Sequence, residues 1–265
     1  MIQKKQIKKL KHKFNNNTLA QHYPQFRKYI KISTKGETII DYNNQNALNE
    51  LNRCIMDYYF KIQEFSIPLT QMIPALGCRL NYIEWVKQQV DKHSFPITYL
   101  YDIGTGFSGV LIFLAYRLYG WKGIGIDTSE QAIIHAQSIA KINNIQAEFK
   151  VGDLFQFLQD GMVTVCNPPF YDYQEEREYN RIIQNQETFV EGGEVEFVKR
   201  MLQNSNLNCL YTTILGRKSS LNSFLDIPDK VELHQGNNIR FALGWKQQQQ
   251  QKQQQQLLLS STKLQ

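Results

Sequence analysis

The chain has 265 residues, 42% of them hydrophobic, which is enough to bury the core of one substantial domain and leave some length for extensions. No apolar run approaches the roughly 18 residues of a membrane-spanning helix, so the composition indicates a soluble protein. The net charge of +6 is unevenly placed, because residues 1–36 contain nine Lys and one Arg without Asp or Glu, whereas the rest has 20 basic and 24 acidic residues.

The first segment, residues 1–22, is predicted to be a disordered basic arm. Its start, MIQKKQIKKLKHKF, lacks the apolar stretch of a secretory signal. Lysines that neutralise phosphates release counterions, so we expect RNA contacts from Lys8, Lys9, Lys11 and Lys13. A nuclear import signal fits the same charges, which indicates the nucleus, with the cytoplasm as the alternative location and an inert solvated tail as the alternative reading of the arm.

Residues 23–97 are predicted to form an extension packed on the main domain. FRKYIKIS and TIIDYN have the apolar character of short strands or ordered loop. Residues 45–63 have helical spacing, with apolar residues three and four apart. Pro68 and Pro74 then mark turns, and a second helix is expected to begin at about Asn81.

The main domain, residues 98–246, alternates strand and helix patterns. Strands are predicted at residues 99–103, 123–127, 147–151 and 162–166, and helices at 110–119 and 130–143. This order implies parallel strands with right-handed crossovers, and therefore a doubly wound α/β sheet. VELHQ and IRFALGW are expected to end the domain as an antiparallel pair around GNN. The glutamine-rich residues 247–265 are excluded from the fold as a low-complexity tail.

The four cysteines give no sign of a metal site. They form no CxxC pair and have no spacing typical of zinc ligands, which favours buried thiols in a reducing compartment and predicts no metal. They are Cys54, Cys78, Cys166 and Cys209.

A glycine-rich turn follows the first strand of the main domain. Gly104, Gly106 and Gly109 spell GxGxxG, and Asp127 follows about 20 residues later, at a second strand end where a ribose-binding acid belongs. This pattern suits either a nicotinamide dinucleotide or S-adenosyl-L-methionine. Asp102, just before the first glycine, is a poor neighbour for a pyrophosphate and a good one for the ammonium of a methionine moiety, which favours S-adenosyl-L-methionine.

The segment NPPF, at the end of the fourth strand, predicts the chemistry. An exocyclic amine conjugated to a ring is a poor nucleophile, so it needs orientation more than deprotonation. The side-chain oxygen of Asn167 and the carbonyl of Pro168 can hold its two N–H groups, Pro169 makes that pair rigid, and Phe170 offers a face for stacking a base. This arrangement favours methyl transfer to an amino nitrogen; a turn that merely ends the strand is the alternative.

Two further motifs follow NPPF. EGGEVEFVKRML predicts a helix whose Val195, Val198 and Leu202 face the core, with residues 191–194 either contacting the substrate or capping the helix. LGRKSSL places Arg217 and Lys218 at a strand-to-helix turn, which predicts a phosphate site at a helix N-terminus, with a solvated turn as the alternative.

Three residues near the end of the main domain are predicted to be structural. Phe241 and Trp245 are expected in the core. His234 is expected to be structural as well, because methyl transfer to this amine needs no histidine base.

RLNYIEWV, DIGTGFSG, CNPPFY, EGGEVEFVKR, LGRKSSL and QGNNIRFALGW occur in an order that resembles the RNA adenine N6-methyltransferases that modify U6 small nuclear RNA. Bacterial relatives of that family methylate an adenosine of large-subunit ribosomal RNA. The resemblance spans residues 23–246 and implies a Rossmann-like class I methyltransferase fold, S-adenosyl-L-methionine as cofactor and a structured RNA as partner.

The resemblance also implies residue roles. Arg79 would bind the cofactor carboxylate, and Asp127 would hold the ribose hydroxyls where the family has Glu. Asp153 would lie at the adenine edge of the cofactor. The glycine loop with Gly104 and Gly106 would line the methionine and ribose of the cofactor. Residues 167–170 would form the catalytic motif, in which Asn167 also borders the cofactor, and Tyr171 would be a second aromatic beside it.

Two departures from the family pattern stand out. The loop DYQEEREYNRIIQNQETFV is shorter and more acidic than the family's basic, proline-rich loop. The glutamine tail stands where the vertebrate protein has an RNA-binding region. We therefore expect fewer auxiliary contacts with RNA. The alternatives are a protein glutamine N5-methyltransferase, which uses a similar amide-holding motif, and an RNA-binding relative without catalysis. The glutamine N5-methyltransferase alternative explains neither the basic arm nor the motif EGGEVEFVKR.

Overall fold

The structure is a computed structural model that describes residues 14–34, 36–169, 190–236 and 238–247. Its centre is a seven-stranded sheet in the order β5-β4-β3-β6-β7-β9-β8. The first five strands of that order run parallel, and β9 is antiparallel to both β7 and β8. This confirms the predicted doubly wound sheet with an antiparallel pair at its end.

The element bounds follow in chain order. The helices are α1 (Asn16–His22), α2 (Gln45–Phe60), α3 (Leu76–Lys92), α4 (Val110–Tyr119), α5 (Glu130–Ile142), α6 (Gly193–Gln203) and α7 (Lys218–Leu221), with 3-10 turns at Pro24–Tyr29 and Asn222–Phe224. The strands are β1 (Ile30–Ile32), β2 (Thr38–Ile40), β3 (Leu100–Ile103), β4 (Gly123–Asp127), β5 (Ala147–Val151), β6 (Val163–Cys166), β7 (Leu210–Leu215), β8 (Asp229–Gln235) and β9 (Asn238–Lys246).

Both faces of the sheet are covered. On one face, α2, α3, α4, α5 and the N-terminal elements bury a large cluster that includes Phe26, Phe60 and Phe113. On the other face, α6 and the 3-10 turn Asn222–Phe224 bury a second cluster that includes Phe197 and Trp245. This two-sided burial explains why every residue of β3, β6 and β7 is buried, instead of every second one.

Helix α3 starts five residues before the predicted Asn81. Pro74 ends the preceding loop and the helix begins at Leu76, so its buried stripe includes Leu76, Leu80 and Ile83. Gly77 lies within this helix. A Cβ at that position would lie 2.0 Å from Nε2 of Gln235, so the end of β8 occupies the space that a side chain would need. This packing between distant parts of the chain left no local signal in the sequence.

Helix α6 differs from its prediction in its buried face. Val198 is fully buried as predicted, and Val195 packs at the margin of the second cluster. Leu202 is 36% exposed, and Phe197 and Met201 take the buried positions instead. The buried stripe of α6 therefore runs through residues 197, 198 and 201, so the helix is rotated about its axis relative to the prediction.

Residues 16–22, at the end of the predicted disordered arm, form α1 instead, with Leu19 fully buried against the core. Other predictions about buried residues agree with the structure. Phe241 and Trp245 are each 5% exposed, and the four cysteines are free and buried. Among the described residues, no helix is long and apolar enough to span a membrane. His234 lies on the exposed side of β8, with Nε2 3.5 Å from a carboxylate oxygen of Glu232.

Asp229 joins the end of α3 to the start of β8. Its side chain is 5% exposed and accepts hydrogen bonds from Lys92 and from His93 Nε2, the latter at 2.7 Å. Burial acts to raise the pKa of Asp229, but the bonds from Lys92 and His93 outweigh it and hold the pKa below its ordinary value.

The Asp229→Asn substitution should lower the free energy of unfolding at pH 7 by about 1 to 3 kcal/mol, the scale of a lost charged hydrogen bond. Because folding lowers the pKa, this stabilisation is present above the unfolded value of about 3.9 and is lost as the pH falls through the folded value. Urea denaturation should therefore show the difference between wild type and variant narrowing towards pH 3. Asp91→Asn is the control, because that carboxylate is 63% exposed; an equal loss in both variants would contradict the role of Asp229.

Candidate active site

A cavity of about 470 Å³ lies at the carboxyl ends of β3, β4 and β6. Residues from six segments line it, which are Gln71, Met72, Pro74 and Arg79, the stretch 102–108 with Val110 and Leu111, Asp127–Ser129 with Gln131, Leu154, Asn167–Pro169, and Phe197. This is the edge at which open α/β sheets bind their ligands.

The glycine turn forms the floor of the cavity. Gly104 and Gly106 have φ of 72° and 58°, a region that favours glycine, and a Cβ at either position would meet no other atom within 4 Å. A ligand can therefore approach the backbone here. A Cβ at Gly109 would lie 3.0 Å from the ring of Phe113, so this third glycine serves the packing of the turn on α4 instead.

Asp102 is a buried carboxylate with one oxygen left unbonded. It is 2% exposed, its Oδ2 accepts a 2.8 Å bond from Thr105 Oγ1, and its Oδ1 has no partner within the described part of the chain. Burial raises the pKa of Asp102 to about 7, Asp127 adds to the increase, and the Thr105 bond and Arg79 oppose it. A cationic donor at Oδ1 would satisfy this acceptor, so the residue fits the ammonium of the predicted cofactor.

Arg79 supplies the opposite charge in the same cavity. It lies on α3, is 6% exposed, and burial lowers its pKa to about 10, with Arg240 adding to the decrease. The guanidinium therefore stays charged at neutral pH. A buried cation beside a buried carboxylate is complementary to the carboxylate and ammonium of an amino-acid moiety such as methionine.

Asp127 holds the loops that surround the cavity. Its Oδ2 accepts from the Gly106 amide and its Oδ1 from the Ser129 amide, both at 2.9 Å. The carboxylate thus fixes the glycine turn and the start of α5 together. Each carboxylate oxygen can accept a second hydrogen bond, which leaves capacity for ribose hydroxyls.

Asn167 leaves the end of β6 with its Oδ1 buried and without a partner in the described residues. Pro168 and Pro169 line the cavity beside it. Phe170 and Tyr171, the predicted aromatics, lie outside the described residues, as do Lys8, Lys9, Lys11 and Lys13. The described part of the motif therefore contains an unbonded acceptor on a residue that lines the cavity.

The structure does not bring every predicted residue to the cavity. Asp153 is exposed and its Oδ1 accepts from the Phe155 amide at 3.1 Å, while the next residue, Leu154, lines the cavity. Phe197 was missed as a lining residue; it is 6% exposed and reaches the cavity from α6. The sequence signal that could have identified Phe197 is its position in EGGEVEFVKR, the motif that follows NPPF in the chain.

Two backbone amides of the LGRKSSL turn, the predicted phosphate site, are bonded within the protein. The Glu194 carboxylate, 2% exposed, accepts from the amides of Gly216 at 2.6 Å and Arg217 at 3.1 Å. These N–H groups are therefore already bonded, and α7 has only four residues. The side chains of Arg217 and Lys218 are exposed, and Lys218 Nζ lies 3.6 Å from Glu232.

Glu194 also answers the question left open for residues 191–194. Its carboxylate bonds the turn after β7 and so ties the start of α6 to the end of that strand. Glu191, in contrast, is exposed. Among the described residues, no group of three or more His, Cys, Asp or Glu side chains could hold a metal.

A sequence model of a family described as RNA methyltransferase matches residues 4–250. The chain is 26% identical over 267 residues to a U6 small nuclear RNA (adenine-(43)-N(6))-methyltransferase of Drosophila pseudoobscura pseudoobscura, covering 86% of this chain and 87% of that protein. It is 25% identical over 280 residues to ribosomal RNA large subunit methyltransferase F of Christiangramia forsetii, covering 89% and 97%. It spans about half the length of the vertebrate relatives that it matches.

Solved structures agree with the sequence comparisons. The hMettl16 catalytic domain in complex with MAT2A 3'UTR hairpin 6 superposes with a TM-score of 0.77 at 26% identity, covering 88% of this chain and 92% of that one. The N-terminal domain of human METTL16 in complex with SAH gives a TM-score of 0.70 at 26% identity, covering 88% and 94%. The predicted resemblance, fold class and cofactor class are confirmed.

Cofactor binding should strengthen as the pH rises towards neutrality. The pKa of Asp102 is about 7, so between pH 5.5 and 7 its ionised fraction rises by about 15-fold, and the affinity for a cationic ammonium should rise in proportion. Calorimetry with S-adenosylhomocysteine measures this slope. Asp102→Asn should bind weakly and lose the slope; a pH-independent wild type would contradict the contact.

Proposed function

The chain belongs to the RNA methyltransferase family whose model matches residues 4–250, and on this premise we propose that it transfers a methyl group from S-adenosyl-L-methionine to N6 of an adenosine in a structured RNA. The name of the Drosophila relative, which specifies N6 of an adenine in U6 small nuclear RNA, supports adenine N6 as the acceptor. A related domain crystallised with an RNA hairpin supports a structured RNA as the substrate. We propose an RNA of the U6 or large-subunit ribosomal type as the substrate.

One observation carries the proposal. Two buried oxygens, Oδ1 of Asp102 and Oδ1 of Asn167, lack partners within the described part of the chain, and both residues line the same cavity. An unbonded buried acceptor costs free energy, so such atoms point to donors that arrive with ligands. One donor is the cofactor ammonium and the other is the amino group to be methylated.

The residues of the NPP segment act by orientation. Asn167 Oδ1 and the Pro168 carbonyl accept the two N–H groups of the adenine amine, which directs the nitrogen lone pair into the cavity. When bound, S-adenosyl-L-methionine supplies an electrophilic sulfonium methyl. Holding the amine on this line would favour transfer, in which the nitrogen–methyl bond would form as the sulfur–methyl bond breaks. The thioether S-adenosylhomocysteine would be the leaving group, and the extra proton would leave the nitrogen to solvent.

The cofactor contacts follow from the cavity. Arg79 and Asp102 hold the carboxylate and ammonium of the methionine moiety, and Asp127 accepts from the ribose with its remaining lone pairs. Gly104 and Gly106 let the cofactor lie against the backbone. Asp153 keeps the adenine-edge role only if its loop turns inward when the cofactor binds.

The RNA contacts are proposed from sequence and exposure. Phe170 and Tyr171 would stack the target base, and exposed Arg217 and Lys218 would meet phosphates through their side chains. The basic arm would add sequence-independent affinity and direct the protein to the nucleus.

The direct test incubates the protein with labelled S-adenosyl-L-methionine and total cellular RNA, followed by nucleoside analysis and mapping. N6-methyladenosine at one site is the expected product. Label transferred only to protein glutamine would favour the N5-methyltransferase alternative, and cofactor and RNA binding without transfer would favour an inactive relative.

Asn167→Ala should bind cofactor and RNA normally, because other residues hold the sulfonium and phosphates dominate RNA affinity. Methyl transfer should fall by at least about 100-fold, comparable to the loss of one preorganised polar group in a catalytic site. Single-turnover assays at saturating RNA measure it. A variant that binds both ligands and still methylates near the normal rate would show that the amine is held in another way.

Deleting residues 1–13 removes six lysines and no cavity residue. RNA affinity should fall, and the slope of log affinity against log salt should flatten by several units if most of those lysines contact phosphates, at about 0.7 to 0.9 per contact. Filter binding from 50 to 300 mM salt checks this, and substitution of the six lysines by Gln in the full chain is the matched control. An unchanged slope in both would leave the arm with a targeting role.

A further inference from the structure

The pairing of β6 with β7 opens before the end of β6. Against β3, β6 keeps a regular parallel register over four residues, up to Ile103 opposite Cys166. Against β7, regular register holds only at Val163 opposite Leu210. The last residues of β6, which lead directly into Asn167, therefore lack the ordinary backbone ladder on one side.

Threonine side chains bridge part of this opening. The Thr212 amide donates to Thr164 Oγ1 at 3.0 Å, and Thr212 Oγ1 donates to the Thr164 carbonyl at 2.6 Å. Further along, Thr213 Oγ1 lies 3.4 Å from the Cys166 carbonyl. All three threonines are fully buried, so these bonds form without competition from water.

The hydroxyl of Tyr82 bonds to groups in the remaining part of the opening between β6 and β7. Tyr82 comes from α3, is fully buried, and its hydroxyl lies 2.8 Å from Thr212 Oγ1 and 3.2 Å from the Cys166 amide. Because the Thr212 proton goes to the Thr164 carbonyl, the Tyr82 hydroxyl donates to Thr212 and accepts from the Cys166 N–H. Burial raises the pKa of Tyr82 well above its ordinary value, so the donor proton stays in place.

The result is a directed chain of hydrogen bonds from the Cys166 amide through two hydroxyls to the Thr164 carbonyl. It fixes the Val165–Cys166 peptide, one residue before Asn167. Arg79 lies three residues before Tyr82 on α3, so one helix carries both the cavity guanidinium and the phenol that holds the strand end.

We propose that Tyr82 is a positioning residue for methyl transfer, whose hydroxyl holds the end of β6 so that the Asn167 carboxamide meets the target amine in the reactive orientation. This inference rests on the proposed function. Displacing a reacting group by about 1 Å can cost about 100-fold in rate, so a small shift of this strand end has a large effect.

The test is Tyr82→Phe, which removes one oxygen and keeps the ring. The turnover number should fall by about 10- to 100-fold, while the affinity for S-adenosylhomocysteine and the KM for RNA stay within about twofold, because the variant disturbs orientation rather than binding. Hydrogen exchange at the Cys166 amide should become faster, while the amides of β3 keep their protection.

Tyr211→Phe is the matched control. Tyr211 is 1% exposed, and its hydroxyl bonds both the amide and the carbonyl of Leu207, at 3.2 and 3.3 Å, far along the chain from Cys166. It should lose comparable stability and keep the wild-type turnover number. Equal slowing in both variants, or a Tyr82→Phe enzyme with normal turnover, would overturn the proposal.

A second pair of variants decides the matter if Tyr82→Phe does not fold. Thr212→Val removes the acceptor of the phenol at almost constant volume, whereas Thr212→Ser keeps the hydroxyl. Slow turnover in the first and near-normal turnover in the second supports the chain; equal turnover in both contradicts it. Wild-type enzyme is assayed in parallel, since a wild type that methylates no adenosine refutes the proposed function, whereas an active wild type with unaffected variants refutes only the role of Tyr82.

Discussion

The parallel register of three strands is the constraint on which the site depends. Ile103 of β3 lies opposite Ile126 of β4 and Cys166 of β6, so the chain leaves all three strands at the same level. The next residues are Gly104, Asp127 and Asn167, which are thereby brought to one edge although more than 60 residues separate the first from the last. A slip of one residue in any pair would turn a cavity side chain to the opposite face of the sheet.

The same edge also carries a cost in stability. Asp102 and Asn167 each bury an oxygen that no described residue bonds, and the raised pKa of Asp102 measures how poorly its surroundings solvate a charge. A sequence selected for stability alone would replace such groups with apolar ones. Their presence at one cavity, inside two well-packed clusters, is the local conflict that marks functional sites.

The sequence predicted much of the fold because the strands and helices of the main domain are strongly patterned and separated by glycine and proline. It predicted the cavity because Asp102, Asp127 and Asn167 each lie at or next to the end of a strand. It did not predict the bond of Glu194 to the Gly216 turn or the insertion of the Tyr82 phenol beside Cys166, because both are pairings between distant parts of the chain that leave no periodic signal. The prediction that Leu202 faces the core was wrong for a related reason, since the rotation of α6 about its axis is set by its packing rather than by its own sequence pattern.

The walls of the cavity depend on helices that lie outside the alternating framework. On one side, Asn52 of α2 is buried and donates to the Pro74 carbonyl at 2.8 Å, next to the lining residues Gln71 and Met72. Earlier in the same loop, Asn49 and Asn143 each exchange two hydrogen bonds with its backbone, at Ile67 and Gln63.

On the other side, α3 contributes Arg79 to the cavity and Tyr82 to the end of β6. A doubly wound sheet alone would supply the glycine turn and the two acids, but it would leave the loop at Pro74 and the strand end at Cys166 without these partners. The N-terminal elements therefore contribute to the energetics of the site, because they reduce the conformational freedom of two segments that border the cavity. Substitutions in α2 or α3 that remove these polar bonds would act on the geometry of the cavity without touching a ligand.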